Sequence, residues 1–204
     1  MNKKGFTLIE LLAVITIMGI LMLVAIPAVS RTIENSRRDT FADNVATYIN
    51  TVRNAVLADE LKCGTTTTDA DGNKTFTTTY NTVSATPDGT YYVVIDTTSQ
   101  NTQDMMESVA KSSWGNAELT GYVAWAKDQG NTSYYAFISD VSGHGMAREQ
   151  AELEIGRSAV YPNISAQRCG GTDAEPVMCT GATTSGPSTQ KVTGATQLLE
   201  CVIK

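Results

Sequence analysis

The stretch KKGFTLIELLAVITIMGILMLVAIPA, residues 3–28, decides how the amino-terminal part of this chain folds. From residue 11 to residue 29, Thr16 is the only polar side chain. The run is longer than the roughly 7–15 apolar residues of a secretory signal and approaches the roughly 17–25 that cross a bilayer as a helix. Lys3 and Lys4 precede it and favour a cytoplasmic amino terminus. The sequence therefore predicts a single-pass anchor followed by an external domain.

A carboxylate, Glu10, lies at the edge of this apolar run. An ionisable side chain in lipid is costly, and it predicts a function together with a partner that relieves the cost. The alternative is a glutamate that sits at the interface and is solvated by headgroups.

The same residues carry a family resemblance. Gly5 followed by FTLIE and the long apolar run resembles the amino terminus of type IV pilins and pseudopilins. The resemblance implies that a membrane aspartyl protease cuts between Gly5 and Phe6 and methylates the new amine of Phe6. It also implies that Glu10 directs subunit assembly, and that Gly19 and Pro27 weaken the helix.

Elementary electrostatics supports this role for Glu10. Cleavage would create a cationic amine on Phe6, and methylation leaves that amine a cation. Opposite charges attract far more strongly in a low-dielectric core than in water. An amine from a staggered neighbouring helix would therefore favour docking into a bundle and set the stagger.

Beyond the apolar run, residues 30–61 contain neither proline nor glycine. Their apolar side chains recur at steps of three and four, which places them on one helical face. We therefore expect the helix to continue over residues 30–62 and to pack its apolar face on a sheet of the same chain. The apolar positions are Phe41, Val45, Tyr48, Ile49, Val52 and Val56.

Residues 63–204 have the composition of a β-rich globular domain. Strands are expected at residues 75–80, 90–96, 121–127, 134–141 and 198–203, and short helices at 102–111 and 147–154. The prediction is an α+β fold of pilin type, with a long amino-terminal helix packed on an antiparallel sheet of three to five strands. The expected segments are a leader (1–5), a transmembrane and polymerisation segment (6–29), an amphipathic continuation (30–62) and the extracytoplasmic domain (63–204).

Four cysteines follow the export-type amino terminus, which indicates two disulfides formed in an oxidising compartment. Three pairings are possible. We favour Cys169 with Cys179, which is local, and Cys63 with Cys201, which would tie the end of the chain to the end of the long helix.

Nothing in the sequence indicates a catalytic, cofactor or metal site. His144 lies between two glycines and is expected in an exposed turn, because no triad spacing accompanies it. The run DADGN, residues 69–73, resembles a calcium loop, but its glycine comes too early, so a hairpin turn is the better interpretation. The chain looks like the substrate of an enzyme rather than an enzyme.

The net charge of −6 argues against a nucleic-acid partner, because such binding needs clustered basic side chains. The leading hypothesis is a structural subunit of a surface type IV pilus, a helical homo-oligomer. The alternatives are a pseudopilin of a secretion or DNA-uptake system, a minor tip pilin acting in adhesion, or an anchored binding domain that never polymerises. The implied partners are the prepilin peptidase, the assembly machinery, other pilins and the cytoplasmic membrane before assembly. Whether the task is twitching motility, adhesion or secretion is left open.

Overall fold

The computed structural model describes residues 7–106, 109–171, 176–178, 186–187, 190–195 and 197–204, with the backbone alone at 169–171 and 176–178. Contacts divide the chain into two units, Met1–Arg37 and Arg38–Lys204. Helix α1, Leu8–Leu57, contributes residues to both units.

In the first unit, α1 is apolar on every side over residues 11–29. Its large apolar side chains are 49% to 83% exposed. Thr16 does not interrupt this surface, because its hydroxyl donates to the carbonyls of Leu12 (3.1 Å) and Ala13 (2.9 Å). Pro27 lies inside the helix. The weakening expected at Gly19 and Pro27 stays a prediction.

In the second unit, α1 buries one face, as its period predicts. The residues of α1 that are buried there are Phe41, Ala42, Val45, Tyr48, Ile49, Val52 and Ala55. The helix ends at Leu57, five residues before the expected boundary. Asp59 has a left-handed φ of 58°, and the N–H of Glu60 bonds back to the carbonyl of Ala55 at 3.0 Å. This is the geometry of a helix-terminating turn, and it leads directly into a strand.

The strands that follow α1 form a mostly antiparallel sheet. They are β1 Leu61–Thr68, β2 Lys74–Tyr80, β3 Gly89–Asp96, β4 Leu119–Asp128, β5 Asn131–Asp140, β6 Gly145–Met146, β7 Gln150–Ala151, β8 Val160–Tyr161, β9 Arg168–Gly171, β10 Pro176–Met178 and β11 Leu198–Ile203. Within the described residues the sheet has nine strands in the order β2-β1-β11-β3-β4-β5-β6-β8, with β7 also pairing β5, while β9 and β10 form a separate pair. Strand β11 runs antiparallel to β1 and parallel to β3.

The structure confirms the predicted α+β arrangement and the five expected strands, but the sheet is larger than expected. Strand β1 was not among the predicted strands, because its Thr-rich sequence lacks an apolar alternation. The very short strands β6, β7 and β8 carry no sequence signal of their own.

Both predicted short helices are wrong over most of their length. Helix α2 covers only Gln100–Met105, and no helix follows among the described residues 109–118. Residues 147–154 instead contain β7 and a 3-10 turn at Glu152–Glu154. Pairing of β7 with β5 overrides the local helical preference, since Ala151 lies opposite Tyr135 in the ladder.

The core lies between α1 and the sheet. The ring of Trp125 on β4 stacks on Tyr91 of β3, with 5.8 Å between centroids. Tyr48 of α1 is fully buried and donates its hydroxyl to the carbonyl of Ala110 at 2.8 Å. Burial raises the pKa of Tyr48 to about 12, so the hydroxyl remains a donor at any physiological pH.

Candidate assembly site on the amino-terminal helix

Helix α1 begins with a reciprocal cap between Thr7 and Glu10. The Glu10 Oε2 accepts hydrogen bonds from the backbone N–H and from the hydroxyl of Thr7, both at 2.8 Å. In return, the Thr7 hydroxyl oxygen accepts from the backbone N–H of Glu10 at 3.3 Å. This is a capping box, in which the first helical turn satisfies its own free donors.

The cap gives Glu10 a second reason for its position. The first N–H groups of a helix have no intrahelical acceptor, and a negative charge near a helix amino terminus is favourable. Thr7 was not among the predicted site residues. Its signal was present, since Thr7-Leu-Ile-Glu10 has the spacing of a capping box ahead of an apolar run.

The site lies on an apolar surface. Next to Glu10, Ile9 is 72% exposed and Leu11 is 61% exposed. Among the described residues, one helix, α1, is long and apolar enough to cross a membrane. A helix that is hydrophobic on every side needs lipid or other protein around it. Glu10 is therefore presented at the start of a surface that water does not favour.

The predicted processing site lies outside the described residues. Both Gly5 and Phe6 precede Thr7, where the described chain begins. Cleavage after Gly5 and methylation of Phe6 therefore stay predictions.

In the globular unit, His144 follows the turn after β5 as expected, but the exposed position is wrong, since its side chain is only 24% exposed and contacts the buried Asp140. It belongs to a polar cluster centred on Asp140. Its Nδ1 lies 2.8 Å from Asp140 Oδ2, and the hydroxyl of Ser112 donates to the same oxygen at 2.7 Å. The backbone N–H groups of Ser142 and His144 donate to Oδ1, both at 2.9 Å. The His144 ring stacks on Trp114, with 5.0 Å between centroids.

This cluster has the residue types of a Ser–His–Asp triad in a different order. In a hydrolase the imidazole stands between the serine and the aspartate. Here the carboxylate of Asp140 stands between Ser112 and His144, so the histidine is not placed to take a proton from the serine. The cluster joins the turn after β5 to the segment that precedes β4. This link between two distant segments of the chain supports a structural role for the cluster.

The run 69–73 forms the predicted hairpin turn between β1 and β2. Asp69 Oδ1 accepts from the backbone N–H groups of Asp71 (3.0 Å) and Asn73 (2.8 Å), and Gly72 adopts a left-handed φ of 86°. These bonds hold the pKa of Asp69 below its usual value, the bond from the Asn73 N–H contributing most. The carboxylate of Asp69 therefore accepts hydrogen bonds from the backbone of its own turn and stabilises that turn.

One disulfide joins Cys63 on β1 to Cys201 on β11, which is the long-range pairing favoured from the sequence. The two cysteines lie 138 residues apart in the chain, and both are fully buried. The other expected pair, Cys169 with Cys179, lies outside the side chains that the structure describes.

Comparison with known proteins gives a result for the amino terminus alone. Residues 1–26 match the family model of the prokaryotic N-terminal methylation motif. No curated protein and no solved structure matches the chain. The matched segment contains both members of the Thr7–Glu10 cap, and together with the apolar helix it indicates membrane anchoring. The proteins that share this motif are structural rather than enzymatic. The chain carries over residues 1–26 the N-terminal methylation motif that is the signature of type IV pilins and pseudopilins.

Proposed function

We propose that this chain is a structural subunit of a type IV pilus, which polymerises through its amino-terminal helix with Glu10 as the assembly contact. The observation that carries the proposal is a capped carboxylate at the start of an exposed, entirely apolar helical surface. Such a surface is favoured in a bilayer, and it can also be covered by the same surface of other copies.

The geometry of the cap suggests how assembly would select its register. Both described bonds to the Glu10 carboxylate use Oε2, so Oε1 could accept from a cation without breaking the cap. The cap also limits the rotation of the carboxylate. A methylated amine on Phe6 of a neighbouring copy would supply the cation, and ionic hydrogen bonds are roughly twice as strong as neutral ones. If two neighbouring helices were shifted along their axes so that the amine did not reach Glu10, the amine and the carboxylate would both stay unpaired in an apolar bundle. That cost would disfavour every other register.

Processing would come first. The amino terminus would face the cytoplasm, since Lys3 and Lys4 precede the apolar run. The peptidase would remove residues 1–5 there, and residues 6–29 would hold the subunit in the cytoplasmic membrane. The domain after residue 62 would face the outside, where its buried Cys63–Cys201 disulfide can form and persist. Assembly would then carry the subunit to the cell surface.

A pseudopilin of a secretion or DNA-uptake system would use the same helix in the same way and build a shorter filament. The two functions share the matched motif. Filament length seen by electron microscopy, with antibody against residues 63–204 as the label, separates them.

The decisive experiment compares Glu10→Gln with Thr7→Ala. A glutamine can still cap Thr7, because a capping box accepts Glu or Gln, but it cannot form an ion pair. We expect Glu10→Gln to insert in the membrane and to yield at least tenfold fewer filaments than wild type. Thr7→Ala weakens the cap by about 1 kcal/mol but keeps the charge, so its filament yield should stay within a few-fold of wild type. Normal filaments from Glu10→Gln would contradict the ion-pair mechanism.

A further inference from the structure

Strand β2 lies at one end of the large sheet in the part of the chain that the structure describes. Its inner edge pairs with β1, in the register Thr65 opposite Thr77 and Thr67 opposite Thr75. On its outer edge no strand pairs with it within the described residues, and the other end of the strand order is β8, which has only two residues. Strand β2 therefore presents a row of backbone N–H and C=O groups that can pair with another chain.

This edge has little of the usual protection against such pairing. Native edge strands are commonly short, or carry proline or charged side chains. Strand β2 has seven residues, KTFTTTY, with no proline or acidic residue, and Lys74 at its first position is its one charge. Every side chain in it is exposed except those of Phe76 and Tyr80, which are half-buried.

We propose that the β2 edge is a docking surface for the β2 edge of a second copy of this chain. The two strands would pair antiparallel about a two-fold axis at Thr77. A two-fold places each residue opposite a definite partner, and centring it on Thr77 brings all seven residues of both strands into the ladder.

The side chains favour this register. Thr75 would meet Thr79 of the second copy, and Phe76 would meet Thr78. Threonine pairs and pairs of an aromatic with a β-branched residue are both favourable opposite each other. Lys74 would meet Tyr80 rather than a second lysine. The edge therefore fits itself without placing like charges opposite each other.

One such contact would be weak, since a pair of strands without a covering face is marginal in water. A stable association would need many such contacts at once, and this step rests on the proposed function. If copies are arrayed along a filament, two filaments would repeat the β2 contact many times, and linked contacts gain avidity without any new interaction. The surface would then join filaments side by side.

Cysteine cross-linking of the full chain in detergent micelles tests the register without requiring filaments. Cys63 and Cys201 already form a disulfide between directly opposed positions of antiparallel strands in this protein. We expect Thr77→Cys to give a disulfide-linked dimer under mild oxidation, because the axis places Thr77 opposite itself. Thr75→Cys and Thr79→Cys should each give at least tenfold less dimer alone, and a strong dimer band when the two are mixed.

The matched control is Thr67→Cys, an exposed threonine on the inner strand β1. It should give as little dimer as Thr75→Cys alone. Equal cross-linking at all four positions would mean random collision, and no dimer from Thr77→Cys would mean no contact. Either result overturns the proposal.

Charge substitution tests the same contact between filaments. Thr77→Lys and Thr77→Glu each place like charges across the axis, so filaments of either variant should bundle at least tenfold less than wild type in light scattering. Mixing the two kinds of filament should restore bundling. Wild-type bundling by filaments of Thr77→Lys would overturn the proposal. A wild-type chain that forms no filaments would contradict the proposed function, and the micelle cross-linking would still decide whether the β2 edges pair.

Discussion

Cys63 and Cys201 stand directly opposite each other on antiparallel strands β1 and β11, and their disulfide joins positions 138 residues apart in the chain. Strand β11 is the last strand of the chain, yet it lies in the interior of the sheet, between β1 and β3. The bond therefore fixes the carboxy-terminal strand beside the strand that follows α1.

Removal of this disulfide should destabilise the globular unit strongly. A cross-link over a long loop restricts the unfolded chain, and native disulfides typically contribute about 2–5 kcal/mol. We expect Cys63→Ala/Cys201→Ala to lower the free energy of unfolding by that amount, measured by chemical denaturation of the full chain in detergent. A change below about 0.5 kcal/mol would contradict the prediction.

Processing at the amino terminus should depend on Gly5. We expect the mature protein to have the mass of residues 6–204 plus one methyl group, less the hydrogens lost to disulfides. In Gly5→Leu the peptidase should leave an uncleaved precursor in the membrane. Intact-mass spectrometry reads both results, and normal filaments made of precursor would refute the scheme.

The Asp140 cluster should stabilise the fold and take no part in chemistry. Asp140→Ala would leave two backbone N–H groups and the Ser112 hydroxyl without their buried acceptor, at a cost of about 3 kcal/mol. His144→Phe keeps an aromatic ring against Trp114, so its loss should be clearly smaller. Thermal unfolding of the two variants gives the comparison. Equal losses would show that the imidazole stabilises the cluster as much as the carboxylate does, which would contradict the prediction.

Acid should weaken the globular unit through its paired carboxylates. Hydrogen bonds from Arg157 hold the pKa of Asp39 below its usual value, with Nε 2.8 Å from Oδ1. The hydroxyl of Ser84 does the same for Asp59, at 2.7 Å. A carboxyl with a lowered folded pKa contributes stability that is present above its unfolded pKa and is lost as pH falls through the folded value.

The melting temperature should therefore fall as the pH drops below about 4, where free aspartates protonate. Asp59→Asn and Asp39→Asn should each be less stable at pH 7 and should show a shallower loss in acid than wild type. An unchanged acid slope in both variants would mean that other groups govern the transition.

The part of the fold that depends on neighbouring residues was readable from the sequence. The apolar period placed Phe41, Val45 and Tyr48 on the buried face of α1, because residues three and four apart share a helical face. The methylation motif was equally readable, since its residues lie together in the chain. The Thr7–Glu10 cap is also local, and its spacing could have revealed it.

Interactions between distant segments were less accessible. The position of β11 between β1 and β3, the strand character of Leu61–Thr68 and the cluster around Asp140 all depend on partners that come from elsewhere in the chain. A polar, Thr-rich segment has no preference of its own strong enough to show that it will be a strand.

By itself, then, the sequence determined an amino-terminal helix that is apolar enough for a bilayer and that begins within an N-terminal methylation motif, because a helix is built from local hydrogen bonds and a motif from adjacent residues. The tertiary structure decided which strands meet, which cysteine faces Cys63 and which edge, that of β2, pairs with no other described strand. Sheet partners are selected by backbone pairing and burial across long loops, and the residues of a single strand do not specify them.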